Sequence, residues 1–116
     1  MDIEALQRQL RTFVRERDWE RFQSPKNLAM ALTAEAGELL ELFQWLSEEQ
    51  SRTLDPHGKD LEMARQEIAD VQIYLLRLAD QLGIDLDRAV RDKLRINAEK
   101  YPVDLARGNA TKYNRR

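Results

Sequence analysis

The chain has 116 residues, 42% of them hydrophobic and 34% charged, with a formal net charge of −2. That length suits one domain, residues 1–116, with a modest core. The absence of cysteine excludes disulfides and thiolate metal sites. The acidic N-terminus does not read as a signal peptide and no apolar run is long enough for a membrane span, which points to a cytoplasmic protein.

Charge is distributed unevenly. Residues 1–87 carry 10 basic and 18 acidic side chains, whereas residues 88–116 carry 9 basic and 3 acidic. The basic end suits phosphate groups or serves as a counterweight to acidic helices. The acidity of the remainder argues against a nucleic-acid backbone as the partner.

Taken in order, residues 2–17 form a predicted helix with Ile3, Leu6, Leu10, Phe13 and Val14 on one face. The stretch from Asp18 to Gln23 breaks that periodicity and places Trp19 and Phe22 in a loop. Two readings stand for these aromatics: a plug at a core edge, or a stacking platform for a flat ligand. Ser24 and Pro25 are a helix start, serine as N-cap and proline at the first helical position. The helix they open runs to about Ser47 and passes Trp45. Residues 48–58 are a polar connection ending in Asp55-Pro56-His57-Gly58, where the only histidine reads as a solvated turn residue. A third helix covers residues 59–82 with Gly83 closing it, and Asp85 caps a fourth over residues 86–101 that Pro102 stops. Residues 103–116 read as an irregular, basic tail. No alternating strand pattern occurs, so the chain is expected to be all-α with four helices.

Two of these helices carry a carboxylate couplet, Glu35-Ala36-Gly37-Glu38 and Glu67-Ile68-Ala69-Asp70. At about 100° per residue, both acids of a couplet share a helix face. On a helical wheel Leu28, Ala31, Leu39, Leu42 and Leu46 fall within about 40° of Glu35, and Met63, Val71, Tyr74 and Leu78 lie on the side of Glu67. The acids therefore sit in the apolar stripes and face inward, where an unpaired carboxylate is costly. A cation must meet them. Without histidine or cysteine, the four oxygen donors Glu35, Glu38, Glu67 and Asp70 select a hard divalent ion, Mg²⁺ or Mn²⁺. A di-iron centre would call for Glu-x-x-His couplets instead. The alternative is that Arg77, Lys93 or Arg95 neutralises the acids and the chain is a non-catalytic oligomerisation or binding module. Mg²⁺ on carboxylates keeps positions for water and phosphate oxygens, which fits hydrolysis of a phosphate anhydride.

The couplets resemble the metal motif of the all-α MazG-like nucleoside triphosphate pyrophosphohydrolases. More narrowly, "RDWERFQSPKNLAMALTAEAGELLELFQW", "EIADVQIYLLRLA" and "KLRINAEKYPVDLARGNATKY" are similar to the dCTP pyrophosphatase branch, in order and over more than half of the chain. The resemblance implies a four-helix MazG-like fold assembling as a homo-oligomer, commonly a tetramer with sites near subunit interfaces. A small apolar core points the same way. It also implies Mg²⁺ (with Mn²⁺ as substitute) on Glu35, Glu38, Glu67 and Asp70, and water attack that yields a nucleoside monophosphate and pyrophosphate. By position, Trp19, Phe22, Gln23, Trp45 and Tyr74 would line the base site, and Lys93, Asn97, Lys112 and Tyr113 would meet phosphates. The implied substrate is dCTP or a modified dCTP, with dUTP or a phosphoribosyl-ATP-type nucleotide as the alternative. Two positions depart from the family: Gln23 stands where it often has histidine, and Leu10 where animal members have another. Glutamine can offer a pyrimidine edge both a donor and an acceptor.

Overall fold

Residues 1–115 are described by a computed structural model, and no strand occurs among them. Six α-helices stand where four were expected. In chain order they are α1 (Ile3–Glu16), α2 (Pro25–Phe43), α3 (Glu48–Arg52), α4 (Lys59–Leu82), α5 (Leu86–Lys100) and α6 (Val103–Ala106), with one-turn 3-10 segments at Glu20–Phe22 and Tyr113–Arg115. None of them is long and apolar enough to cross a membrane.

The helix starts follow the capping chemistry of the sequence. Asp2, Ser24 and Asp85 each accept a hydrogen bond from the backbone N–H three residues on, at 3.0, 3.2 and 3.1 Å, satisfying a donor that the first turn leaves open. Gly83 ends α4 at φ +65°, a left-handed conformation that glycine adopts without penalty. The second helix is shorter than its periodicity suggests. Ser47 and Gln50 form a reciprocal capping box, so Ser47 opens α3 rather than ending α2, and Trp45 falls in the turn between them. The connection over residues 48–58 is thus partly helical.

The chain divides into two compact units, Met1–Gly83 and Ile84–Arg116. In the first, α4 packs chiefly against α2 and secondarily against α1. The buried apolar side chains are Val14, Leu28, Ala64, Leu76 and Ala79. Leu28 and Leu76 are the most deeply enclosed, each contributing about 2 kcal/mol by leaving water. Gln7 is also buried, and its Nε2 donates to the Leu76 carbonyl at 3.1 Å, tying α1 to α4. That core is small, and Met30, Leu40 and Ile68 remain more than half exposed.

In the second unit the tail is more ordered than expected. After Pro102 the chain makes α6, and Gly108 turns it at φ +77°. Tyr113 then meets Tyr101 edge-on, with ring centroids 6.0 Å apart, and Lys100 Nζ lies 4.8 Å above the Tyr113 ring.

Candidate metal and nucleotide site

Glu35 and Glu38 lie on α2, Glu67 on α4, and each offers an oxygen within 4.8 Å of the others. Two sequence-distant carboxylates are brought together by the α2–α4 interface, the largest in the unit. Burial is graded rather than uniform. Glu35, Glu67 and Asp70 are half-buried, while Glu38 is exposed, so the acids sit at the rim of the helix pair and not inside a closed core. The reason is the shortage of apolar cover over α2, where Leu39 and Leu42 are only half-buried and Leu40 is exposed.

Glu35 Oε2 and Glu67 Oε2 are both shut off from water and make no hydrogen bond. Two ionised carboxylates cannot bond to each other, since both only accept. A proton shared between them is one remedy. Accordingly the Glu35 carboxyl is held above its usual range, first by the hydrogen bond it can form with Glu67 and next by burial. Glu38 opposes the shift, and the charges of Glu67 and Asp70 add to it. A hard cation is the other remedy, and the donor set fits one: carboxylate oxygens only, converging from two helices, two of them without any partner. Asp70 acts on Glu35 through its charge but stands outside the converging group.

The salt-bridged alternative finds no support among the described residues. Arg77, in the same unit as the couplets, faces Asp80 and reaches no couplet acid, and Arg95 pairs with Asp92. Lys93 is exposed on α5.

Next along the same helices lies a cleft of about 280 Å³ lined by Trp19, Phe22, Gln23, Asn27, Leu28, Ala31 and Tyr74. Four of the predicted base-site residues therefore converge. On α2 the cleft residues precede Glu35, while on α4 Tyr74 follows Glu67 and Asp70. The two helices accordingly run antiparallel, with acids and cleft as neighbours along one seam. Ala31 to Glu35 is one helical turn, about 6 Å, and Glu67 to Tyr74 is about two turns, about 10 Å. Glu67, Asp70, Tyr74 and Arg77 fall within an arc of about 80° on α4.

Trp19 is held edge-on against Phe13, with centroids 6.0 Å apart, and stays 44% exposed. Asn27, which sequence reasoning missed, donates from Nδ2 to the Phe22 carbonyl at 3.1 Å and so fixes the aromatic loop to the start of α2. Its position three residues after an N-cap serine was the available signal. Gln23 is half-buried, and its carbonyl is already taken: Arg77 Nε donates to Gln23 Oε1 at 2.8 Å. Trp45 is not among the cleft residues and is 86% exposed, because α2 ends before it. Lys93 and Asn97 share a face of α5, Lys112 precedes the last 3-10 turn, and Tyr113 opens it; all four belong to the second unit. Leu10 lines a separate apolar groove between α1 and α4.

Comparison with known proteins is consistent along most of the chain. Residues 30–115 match the model of the MazG-like family. The "dCTP pyrophosphatase 1" of Rattus norvegicus is 44% identical over 111 residues, covering 96% of this chain and 65% of that protein. The Homo sapiens protein of the same name is 40% identical over the same length, again covering 65% of the relative. The chain thus spans about two thirds of these mammalian proteins. A pyrophosphatase crystal structure from Archaeoglobus fulgidus superposes with a TM-score of 0.77 at 39% identity, covering 88% of this chain and 94% of that one.

Proposed function

The chain belongs to the MazG-like family, and from that premise we propose that it is a Mg²⁺-dependent pyrophosphohydrolase of deoxynucleoside triphosphates, with dCTP or a modified dCTP as substrate. The observation that carries this reading is the convergence of Glu35, Glu38 and Glu67 with two orphaned oxygens beside an aromatic-lined cleft of about 280 Å³. The names of the mammalian relatives support the same substrate class and reaction, and that of the archaeal structure supports a pyrophosphatase reaction. The family match spans both compact units, which supports treating residues 1–116 as one functional domain.

Glu35, Glu38 and Glu67 would hold the ion, with Asp70 close enough to contribute charge. When bound, Mg²⁺ supplies positive charge against the phosphate oxygens and lowers the cost of charge building up in the transition state. The remaining work falls to the chain. Trp19, Phe22 and Tyr74 enclose a flat ring, and Gln23 reads its edge. A carboxylate of the acid group orients the attacking water or takes its proton. The overall step consumes one water and one nucleoside triphosphate and yields a nucleoside monophosphate and pyrophosphate. Lys93, Asn97, Lys112 and Tyr113 are proposed phosphate contacts and Trp45 a second aromatic at the base, all on family position. The exposed apolar residues of α2 and α4 support assembly into a homo-oligomer, which we propose is a tetramer that completes the four-helix fold. The role is removal of unwanted nucleotides from a cytoplasmic pool.

The test is incubation of the purified chain with each dNTP and Mg²⁺, following release of pyrophosphate and monophosphate. Glu38→Gln, at an exposed position, should abolish turnover and leave the helical content unchanged. Absence of pyrophosphate release from every dNTP would overturn the proposal.

A further inference from the structure

Arg77 is a cation buried to 5% exposure, in a place where neither the acid group nor a phosphate accounts for it. Its charge is met by Asp80, with Arg77 Nη1 3.4 Å from Asp80 Oδ2. Asp80 is held from the other side by Arg11, whose Nε and Nη2 donate at 2.7 and 2.8 Å. A buried guanidinium needs its donors satisfied, and the one turned toward the cleft, Nε, is satisfied by Gln23 Oε1 at 2.8 Å.

That contact fixes more than a distance. The two ends of a glutamine amide are interchangeable in shape, so a free Gln23 could turn either its carbonyl or its NH₂ to a ligand. A guanidinium has five donors and no acceptor, so only the carbonyl can face Arg77. Among the described residues, no protein group accepts a hydrogen bond from Gln23 Nε2. The amide end left to a ligand is therefore a donor.

We propose that Arg77 is a specificity-positioning residue: by holding the Gln23 carbonyl it makes Gln23 a fixed hydrogen-bond donor to the ring in the cleft. The ligand selected is a flat heterocycle that presents an unprotonated ring nitrogen there. A cytosine ring offers two adjacent acceptors, O2 and N3. Uracil carries an N3–H donor next to its carbonyl, which confronts the hydrogens of Gln23. The cleft accordingly favours cytosine through an arginine that never touches it. This rests on the reading that the cleft holds the base.

The experiment measures binding of dCMP and dUMP by calorimetry, since monophosphates are products and need no turnover. Wild-type protein should bind dCMP about 10-fold more tightly than dUMP, the size of one discriminating hydrogen bond. Arg77→Met frees the Gln23 amide to turn, and the ratio should fall to about 2-fold or less. Gln23→Glu keeps the partner of Arg77 but puts a carboxylate oxygen in place of the donor. It should hold the melting temperature at or above wild type while weakening dCMP about 10-fold, a split that a purely structural role does not produce. Equal binding of both ligands by wild type, preference for dUMP, an unchanged ratio in Arg77→Met or undiminished dCMP binding in Gln23→Glu each overturns the proposal. Failure of both monophosphates to bind removes the base reading and this inference with it. Arg77-dependent discrimination without hydrolysis of any dNTP overturns the enzymatic reading alone.

Discussion

Glu67→Gln should make the metal-free protein more stable and deaf to Mg²⁺. Glu35, Glu38 and Glu67 bring oxygens within 4.8 Å of one another, and two of those oxygens are enclosed without a partner. At that separation the repulsion between two unit charges is about 1 kcal/mol in water and about 3 kcal/mol at the effective dielectric of a protein rim. Glutamine keeps the shape, removes one charge and offers Glu35 an N–H donor, which adds about 1 kcal/mol for an orphaned acceptor now satisfied. Part of the repulsion is screened by solvent at the rim, where Glu38 is exposed, so the net gain should be about 1–3 kcal/mol. For a chain of this size, that is a rise in melting temperature of about 4–12 °C. Thermal unfolding followed by circular dichroism at pH 8, in chelator and at fixed protein concentration, reads it directly. Adding Mg²⁺ at 100 times its dissociation constant should stabilise wild type by about 2.7 kcal/mol through mass action, and the variant far less. A Glu67→Gln protein that melts below wild type in chelator, or that keeps the wild-type response to Mg²⁺, would refute the reasoning.

Asp80 has a lowered pKa, caused first by its hydrogen bond from Arg11, with the charges of Arg11 and Arg77 adding and burial opposing. Its folded-state value lies below the unfolded one, so its contribution is complete above about pH 4 and is lost as pH falls through the folded value. Asp80→Asn should therefore cost about 2 kcal/mol at pH 7 by leaving Arg77 a single good partner, and the gap to wild type should close in acid; a gap that persists at pH 2 in denaturant titrations would contradict this. Trp19→Ala should raise the KM for the nucleotide about 10-fold with kcat little changed, because a stacked ring is lost while the acids are untouched. Steady-state kinetics check it, and a fall confined to kcat would place Trp19 elsewhere in the reaction. Leu76→Ala, at one of the most enclosed side chains, should cost about 3 kcal/mol in chemical denaturation, whereas a loss under 1 kcal/mol would mean that the site collapses freely.

The long helices and the convergence of Glu35 and Glu67 were legible because both rest on periodicity: an acid in an apolar stripe reports which faces must meet. Tyr74 was legible for the same reason, one turn beyond Asp70, whereas the base-site reading of the aromatic loop came from the family resemblance and not from periodicity. What periodicity does not carry was missed. The capping box at Ser47 and Gln50 is a local signal, and the helical spacing that runs on through Leu46 masked it, which misplaced Trp45. The exposure of Glu38 depends on how little apolar cover lies over α2, a property of packing rather than of the helix itself. The Arg77–Gln23 bond joins residues 54 apart in sequence, and no pattern in either neighbourhood points to the other. Gln23 seemed able to donate and accept. Its partner holds the carbonyl end and leaves the NH₂ as the unengaged end.

Helix α4 carries Glu67, Asp70, Tyr74 and Arg77 within a single arc, and this makes it a ruler. Its rise of about 1.5 Å per residue sets the distance from the acids to Arg77, which holds the Gln23 amide, at about 10–15 Å. Inserting one residue between Asp70 and Tyr74 would turn the reading end by about 100° and take it off the seam, while a point substitution at residue 77 leaves the spacing untouched. On the proposed function, base preference is therefore free to drift by single substitutions under constant chemistry, but the length of the molecule that fits between the two ends is not.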